Sequence, residues 1–197
     1  MFYFFREFTF YGLSTGGYNL RSDYIQTDSA ACILAALMPA NRLALLVSLT
    51  TGLRIGDVLS LRTEQIKQQR FTIKEQKTDK TRRVYISNEL RMQLLKQAGA
   101  IFVFEGRLSA CQHRTRQAVY NDLKRACKLF RVRGAHVSPH TMRKVYAVTQ
   151  YQRSRDLAKV QKLLNHSNEA VTMLYAMADE LTEARLKNRS VHLPSKY

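Results

Sequence analysis

Four side chains near the C-terminal end of the chain are of types that could together do chemistry on a phosphate. The run Ser138-Pro139-His140-Thr141-Met142-Arg143 is followed by Leu164-Asn165-His166-Ser167 and then by Tyr175. Two imidazoles and a guanidinium can contact phosphate oxygens, and a phenol can attack phosphorus. His140 and Arg143 are three residues apart, so they share one face of the helix that Ser138-Pro139 would open. A helix start also offers free N–H groups and partial positive charge to an anion. Taken singly, each residue has a plainer explanation: a His near a helix start is usually a cap or a surface group, and a Tyr on an apolar face is usually core.

Two upstream stretches could add to this cluster. In Thr50-Thr51-Gly52-Leu53-Arg54-Ile55-Gly56-Asp57-Val58-Leu59-Ser60-Leu61, a Gly turn leads into a short helix whose inner face is Leu53, Val58 and Leu61. Arg54 and Asp57 share the other face, where Arg54 suits an oxyanion, although an Arg so placed is more often in a surface salt bridge, here with Asp57. Residues 70–87 alternate, with Phe71 and Ile73 on one phase and Val84 and Ile86 on another. That pattern predicts a β-hairpin with a basic tip, Lys77-Thr78-Asp79-Lys80-Thr81. Lys77 and Lys80 could contact a polyanion, or simply protect a sheet edge.

The charge balance favours the polyanion. Lys and Arg outnumber Asp and Glu by 32 to 15, a net charge of +17. Residues 1–61 hold four basic and four acidic side chains, whereas residues 62–133 hold 18 basic and six acidic. A basic middle of this kind points to nucleic acid, with phosphate contacts supplying much of the affinity. Cys32, Cys111 and Cys127 form neither a CxxC motif nor an even disulfide set, so neither a zinc site nor a disulfide framework is expected and a reducing cytoplasm is. No apolar run reaches membrane-spanning length, and the aromatic opening Met1-Phe2-Tyr3-Phe4-Phe5 lacks the basic flank and cleavage site of a signal peptide.

The remaining elements must position these groups. Helices are predicted over residues 30–37, with Thr27, Asp28 or Ser29 as cap and Pro39 as stop, and over residues 42–49. Asn88 is expected to cap a helix through Gln97 that Gly99 stops, and Ile101-Phe102-Val103-Phe104 reads as a short buried strand or core plug. From His113-Arg114-Thr115-Arg116 a helix should run to Phe130, its apolar stripe formed by Val119, Leu123, Ala126, Cys127 and Phe130. Arg114 and Arg116 at its start could follow a phosphate backbone. Further helices are predicted over residues 155–164 and 168–176, the second carrying Tyr175, with an amphipathic stretch at 179–188. Residues 1–24 form a segment of unassigned structure, 25–190 the body, and 191–197 a tail.

Together these motifs resemble those of the tyrosine recombinase (phage integrase) family, most of all the integrases of phages and mobile elements of Gram-positive bacteria. The resemblance covers roughly residues 27–190. It rests on Thr-Gly-Leu-Arg-Ile-Gly-Asp, a hairpin Lys, His-x-x-Arg, Leu-Leu-Asn-His-Ser and a Tyr nine residues after that His, all in order. It implies an α+β, mainly α-helical catalytic domain with a small antiparallel β-sheet, cutting and rejoining double-stranded DNA at specific sites through a 3′-phosphotyrosyl link. Residue by residue, it implies Arg54, Lys77, His140, Arg143 and His166 as catalytic groups, Tyr175 as nucleophile, and Asp57 as a support. Lys80, Arg82, Arg114, Arg116 and Lys144 are the candidate DNA contacts. Neither a metal nor a cofactor is implied, and the partners are DNA and further copies of the chain, as a tetramer on paired sites. Two positions depart from the common pattern: Lys144 stands where His is frequent after the second arginine, and Asn165 where Gly is frequent before the histidine.

Family members usually carry an N-terminal helical domain that closes the other side of a DNA clamp. The 53 residues before Arg54 are too few for that domain as well as the first catalytic helices, so a catalytic piece of a longer protein and a short stand-alone recombinase are both open. The rival readings are a type IB topoisomerase-like enzyme and a non-catalytic DNA-binding remnant.

Overall fold

The computed structural model describes residues 25, 27–130, 132 and 136–165. Their order is α1 (Thr27–Ala35), α2 (Pro39–Thr51), α3 (Ile55–Leu59), a 3-10 turn at Gln65–Lys67, β1 (Arg70–Lys74), β2 (Thr81–Tyr85), α4 (Asn88–Gln97), α5 (Arg116–Leu129), α6 (Pro139–Ser154) and α7 (Leu157–Leu164). The α+β, mainly helical expectation is met, with one two-stranded antiparallel sheet among the described residues.

Capping chemistry sets most helix starts. Ser87, Thr115, Ser138 and Asp156 each accept a hydrogen bond from a backbone N–H in the first turn of α4, α5, α6 and α7. At α6, Ser138 and Thr141 exchange reciprocal bonds in a capping box. The cap of α4 is thus Ser87 and not Asn88. Pro39 does not stop α1; it opens α2 from a first-turn position, where a missing N–H costs nothing. The 168–176 helix and the 179–188 stretch lie outside the described residues.

The core is built where α2 packs on α6 and where α5 crosses both α1 and α6. Leu45 and Val47 of α2, Leu123 of α5 and Met142 of α6 have no exposed surface. Burying each such side chain contributes about 1.5–3 kcal/mol. Residues 101–104 are a plug and not a strand. Val103 and Phe104 are fully buried, and single bridges tie the segment at Arg62–Phe102 and Glu105–His113.

In the hairpin, Phe71 pairs with Val84 and Ile73 with Arg82. Since side chains alternate along a strand, the inward phase is Phe71, Ile73 and Glu75 on one side and Arg82, Val84 and Ile86 on the other. A carboxylate and a guanidinium are therefore carried inward by the same parity that buries the aliphatic residues.

Gly52 ends α2 with φ 69° and donates its N–H to the Ser48 carbonyl at 2.8 Å. A Cβ at this position would lie 2.5 Å from two ring carbons of Tyr146 on α6. Left-handed backbone and close approach both demand glycine. Gly52→Ala is expected to lower stability by about 2–4 kcal/mol, read as a shift of the urea midpoint at unchanged slope.

Candidate active site

The turn at Gly52, the start of α3, the hairpin loop and the start of α6 open onto one cleft of about 390 Å³, within the range of ligand-sized sites. Arg54, Asp57, Lys77, His140 and Arg143 all line it. Five residues chosen from three separate stretches of sequence are thereby brought to one place.

Arg54 is the residue that precedes α3, and its side chain is 21% exposed. Its Nη1 donates to Glu75 Oε2 at 2.6 Å, so its ion-pair partner is Glu75 and not Asp57. Asp57 is buried and acts on the backbone instead, Oδ1 accepting from the Gln76 N–H at 2.9 Å. That bond fixes the hairpin beside Lys77. Gly56 lies beside this junction, where a Cβ would sit 3.3 Å from Gln76 Oε1 and in ordinary contact with Arg116 Cδ at 3.7 Å.

Glu75 was not among the residues singled out from the sequence, and it is fully buried. Oε2 also accepts from the Thr78 hydroxyl at 2.9 Å, and Oε1 lies 3.7 Å from Arg82 Nη1. Burial pushes its carboxyl up, but hydrogen bonds from Thr78 and Arg54 and the charges of Arg54 and Arg143 outweigh this, so the group stays below the usual range. The available signal was parity: Glu75 continues the Phe71–Ile73 phase.

Arg143 is buried with no exposed surface. Nη1 donates to the Gly52 carbonyl at 2.5 Å and Nη2 to the Leu164 carbonyl at 2.6 Å. One guanidinium thus ties the turn before Arg54 to the last turn of α7. Asn165 follows in the left-handed region at φ 53° and ψ 37°, ending that helix. Gly and Asn are the residues that tolerate this conformation, which accounts for asparagine at a position where the family often has glycine. His166 and Tyr175 lie outside the described residues.

His140 sits in the first turn of α6, exposed at the rim, and its N–H donates to Ser138 Oγ at 3.2 Å. Desolvation and the charges of Arg143, Lys144, Arg54 and Lys77 push its imidazole down to about 4. The ring is therefore neutral through the physiological range and able to accept a proton.

The candidate DNA contacts divide by burial. Lys80 and Arg116 are exposed, and Arg116 also lines the cleft. Arg114 is half-buried, Nε donating to Asn41 Oδ1 at 2.6 Å. Arg82 turns inward, Nη2 donating to the Thr51 carbonyl at 2.5 Å, and Lys144 is 5% exposed. A count of charges does not distinguish faces; the strand parity and the α2–α6 contact do. Asp122 anchors the start of this basic face by accepting from Met38 N, Asn41 Nδ2 and Arg125. Among the described residues no group of His, Cys, Asp and Glu could hold a metal ion. No described helix is long and apolar enough to cross a membrane.

The profile of the Phage integrase family matches residues 21–181. The chain belongs to the phage integrase family. Among curated phage integrase relatives it is similar to the probable integrase/recombinase YoeC of Bacillus subtilis, 28% identical over 68% of this chain and 75% of that protein. It is also similar to the tyrosine recombinase XerD of Lacticaseibacillus casei, 33% identical over 64% of this chain and 46% of that protein. Among solved structures, a lambda integrase (75–356) dimer bound to a COC′ core site matches with TM-score 0.66 and 18% identity, over 81% of this chain and 61% of that one. The XerH site-specific recombinase bound to palindromic difH substrate, a post-cleavage complex, matches with TM-score 0.64 and 20% identity, over 77% of this chain and 48% of that one. The fold is therefore that of the integrase-family catalytic domains, and this chain spans about half the length of XerD and XerH.

The depressed imidazole has a consequence for stability. In the unfolded integrase chain His140 titrates near 6.5, and in the folded one near 4. Between those values the unfolded chain binds more protons, so folded-state stability falls as pH is lowered from about 6.5 towards 4. Solvent at the exposed side of the ring screens part of the effect. His140→Gln is expected to lose less stability than the parent over that window in thermal melts; equal losses would contradict the depressed value.

Proposed function

We propose that this chain is the catalytic part of a site-specific DNA recombinase, cutting and rejoining double-stranded DNA through Tyr175. The observation that supports this most is the convergence of Arg54, Lys77, His140 and Arg143 on one cleft. The Tyr175 phenolate attacks the DNA phosphorus and the bond to the 5′ oxygen breaks, leaving a 3′-phosphotyrosyl link. Arg54, Arg143 and His166 stabilise the charge that builds on the non-bridging oxygens. His140 takes the phenolic proton, and Lys77 gives one to the departing 5′ oxygen. A strand's 5′-hydroxyl reverses the step and releases tyrosine. The incoming phosphate opposes the cations that depress His140, drawing its affinity for a proton back up.

Arg116 at the edge of the cleft and Lys80 and Arg114 outside it hold the DNA backbone on the basic face. Two pairs of copies act on two DNA sites, with the amphipathic stretch at 179–188 as a docking element between them. The setting is a mobile element, and the compartment a bacterial cytoplasm.

The test is a pool of nicked duplexes with a randomised core, from which covalent protein–DNA adducts are recovered and sequenced. The parent chain should form adducts and Tyr175→Phe none. Lys77→Ala should cleave the selected duplex about 10²–10⁴-fold more slowly. Replacing the bridging 5′ oxygen by sulfur, a leaving group that needs no proton, should restore Lys77→Ala towards the parent rate. Binding by the parent without any adduct would instead support a DNA-binding remnant, and DNA relaxation without recombinant product a topoisomerase-like enzyme.

A further inference from the structure

One charged group at the cleft has no place in the reaction above. Glu75 never faces the cleft, yet it contacts two elements that do. Oε2 accepts from Arg54 Nη1 at 2.6 Å and from the Thr78 hydroxyl at 2.9 Å. Its backbone closes the loop that carries Lys77, its N–H donating to the Lys80 carbonyl at 3.0 Å and its carbonyl accepting from Asp79 N at 2.9 Å. Asp79 takes the left-handed conformation, φ 57°, needed to turn the chain there. We propose that Glu75 is a positioning residue for cleavage, one buried carboxylate that aims the Arg54 guanidinium and braces the Lys77 loop against it.

Geometry and charge both carry the inference. With one Nη of Arg54 held from behind by a fully buried oxygen, the guanidinium plane is set, and its remaining N–H groups are directed by a rigid anchor. Without that anion Arg54 would share the site with Arg82, Arg143 and Lys77 uncompensated, and mutual repulsion would drive its flexible side chain outwards. Arg82 keeps the carboxylate in place from the other side. Its Nη1 and Glu75 Oε1 face each other at 3.7 Å, and among the described residues neither atom has a hydrogen bond. At that separation Arg82 compensates the carboxylate by charge and leaves Oε2 to Arg54 and Thr78. Thr78 transmits the same anchor to the loop, so Arg54 and Lys77 are registered to one another through a single oxygen.

The proposal rests on the recombinase reading, and the experiment separates the two. On the duplex recovered from the randomised pool, Glu75→Gln should form adduct about 10–100-fold more slowly, as expected for a misaligned contact. Its DNA affinity should be unchanged or higher, because a negative charge has been removed. Sulfur at the 5′ bridge should not rescue it, since Arg54 is disturbed as well as Lys77, and Glu75→Asp should recover part of the rate. Parent-like cleavage by Glu75→Gln would overturn the proposal while leaving the recombinase reading intact. Absence of adduct from the parent chain would instead defeat the reading itself. Should Glu75→Gln fail to fold in thermal melts, Thr78→Val decides. It removes only the link to the loop, and should slow cleavage several-fold on ordinary DNA and much less on the sulfur substrate; a parent-like rate on ordinary DNA would overturn the proposal.

Discussion

A guanidinium without exposed surface holds the cleft of this chain together. Burying a charge alone is costly, and Arg143 offsets that cost with charge-assisted bonds to the carbonyls of Gly52 and Leu164. Hydrogen bonds to a charged group of this kind contribute about 1.5–3 kcal/mol each. Because those carbonyls end α2 and α7, one side chain sets the separation of three helices. The positions of Arg54 and of the last turn of α7 depend on it.

Around this centre the structure manages an excess of positive charge. Arg54, Lys77, His140 and Arg143 line the cleft, and Arg82 lies inward of it. Two carboxylates balance them in different ways. Glu75 pairs with guanidinium groups directly, whereas Asp57 spends its charge on the Gln76 N–H and so on the course of the hairpin. The arrangement leaves the cleft positive on its open side, where a phosphate would enter, and compensated behind. Desolvation first, and these cations in addition, lower the affinity of His140 for protons.

The hairpin meets α3 and the residue before it through the Asp57 carboxylate on the Gln76 N–H and the Arg54–Glu75 ion pair. The junction is buried at Glu75 beside Arg54 and exposed at Lys80, so one short loop joins the cleft to the basic surface. The start of α5 is fixed separately, by the Thr115 cap and by Arg114 bonded to Asn41, which in turn donates to Asp122 in the middle of the helix. Burial pushes the Asp122 carboxyl up, but the hydrogen bonds from Asn41, Met38 and Arg125 outweigh it and keep the group ionised. Arg116 therefore leaves a rigid helix start to reach the cleft.

Residue type, order and spacing were enough to read the family, the mainly helical class and the set Arg54, Lys77, His140 and Arg143. These features are local: a capped helix start fixes which of its residues share a face, and a Gly turn fixes where the next helix begins. Pairings between distant segments were not legible, because each required knowing which neighbour was nearer. Arg54 has an acid three residues away in Asp57, yet its partner is Glu75, brought in by the hairpin at 2.6 Å. Arg82 and Lys144 are basic and read as surface contacts, yet parity along β2 and the packing of α6 on α2 turn them inward. Composition alone determined that the chain carries a large excess of positive charge; which cations stay exposed was decided by tertiary packing, since burial depends on what lies against a side chain and not on what the side chain is.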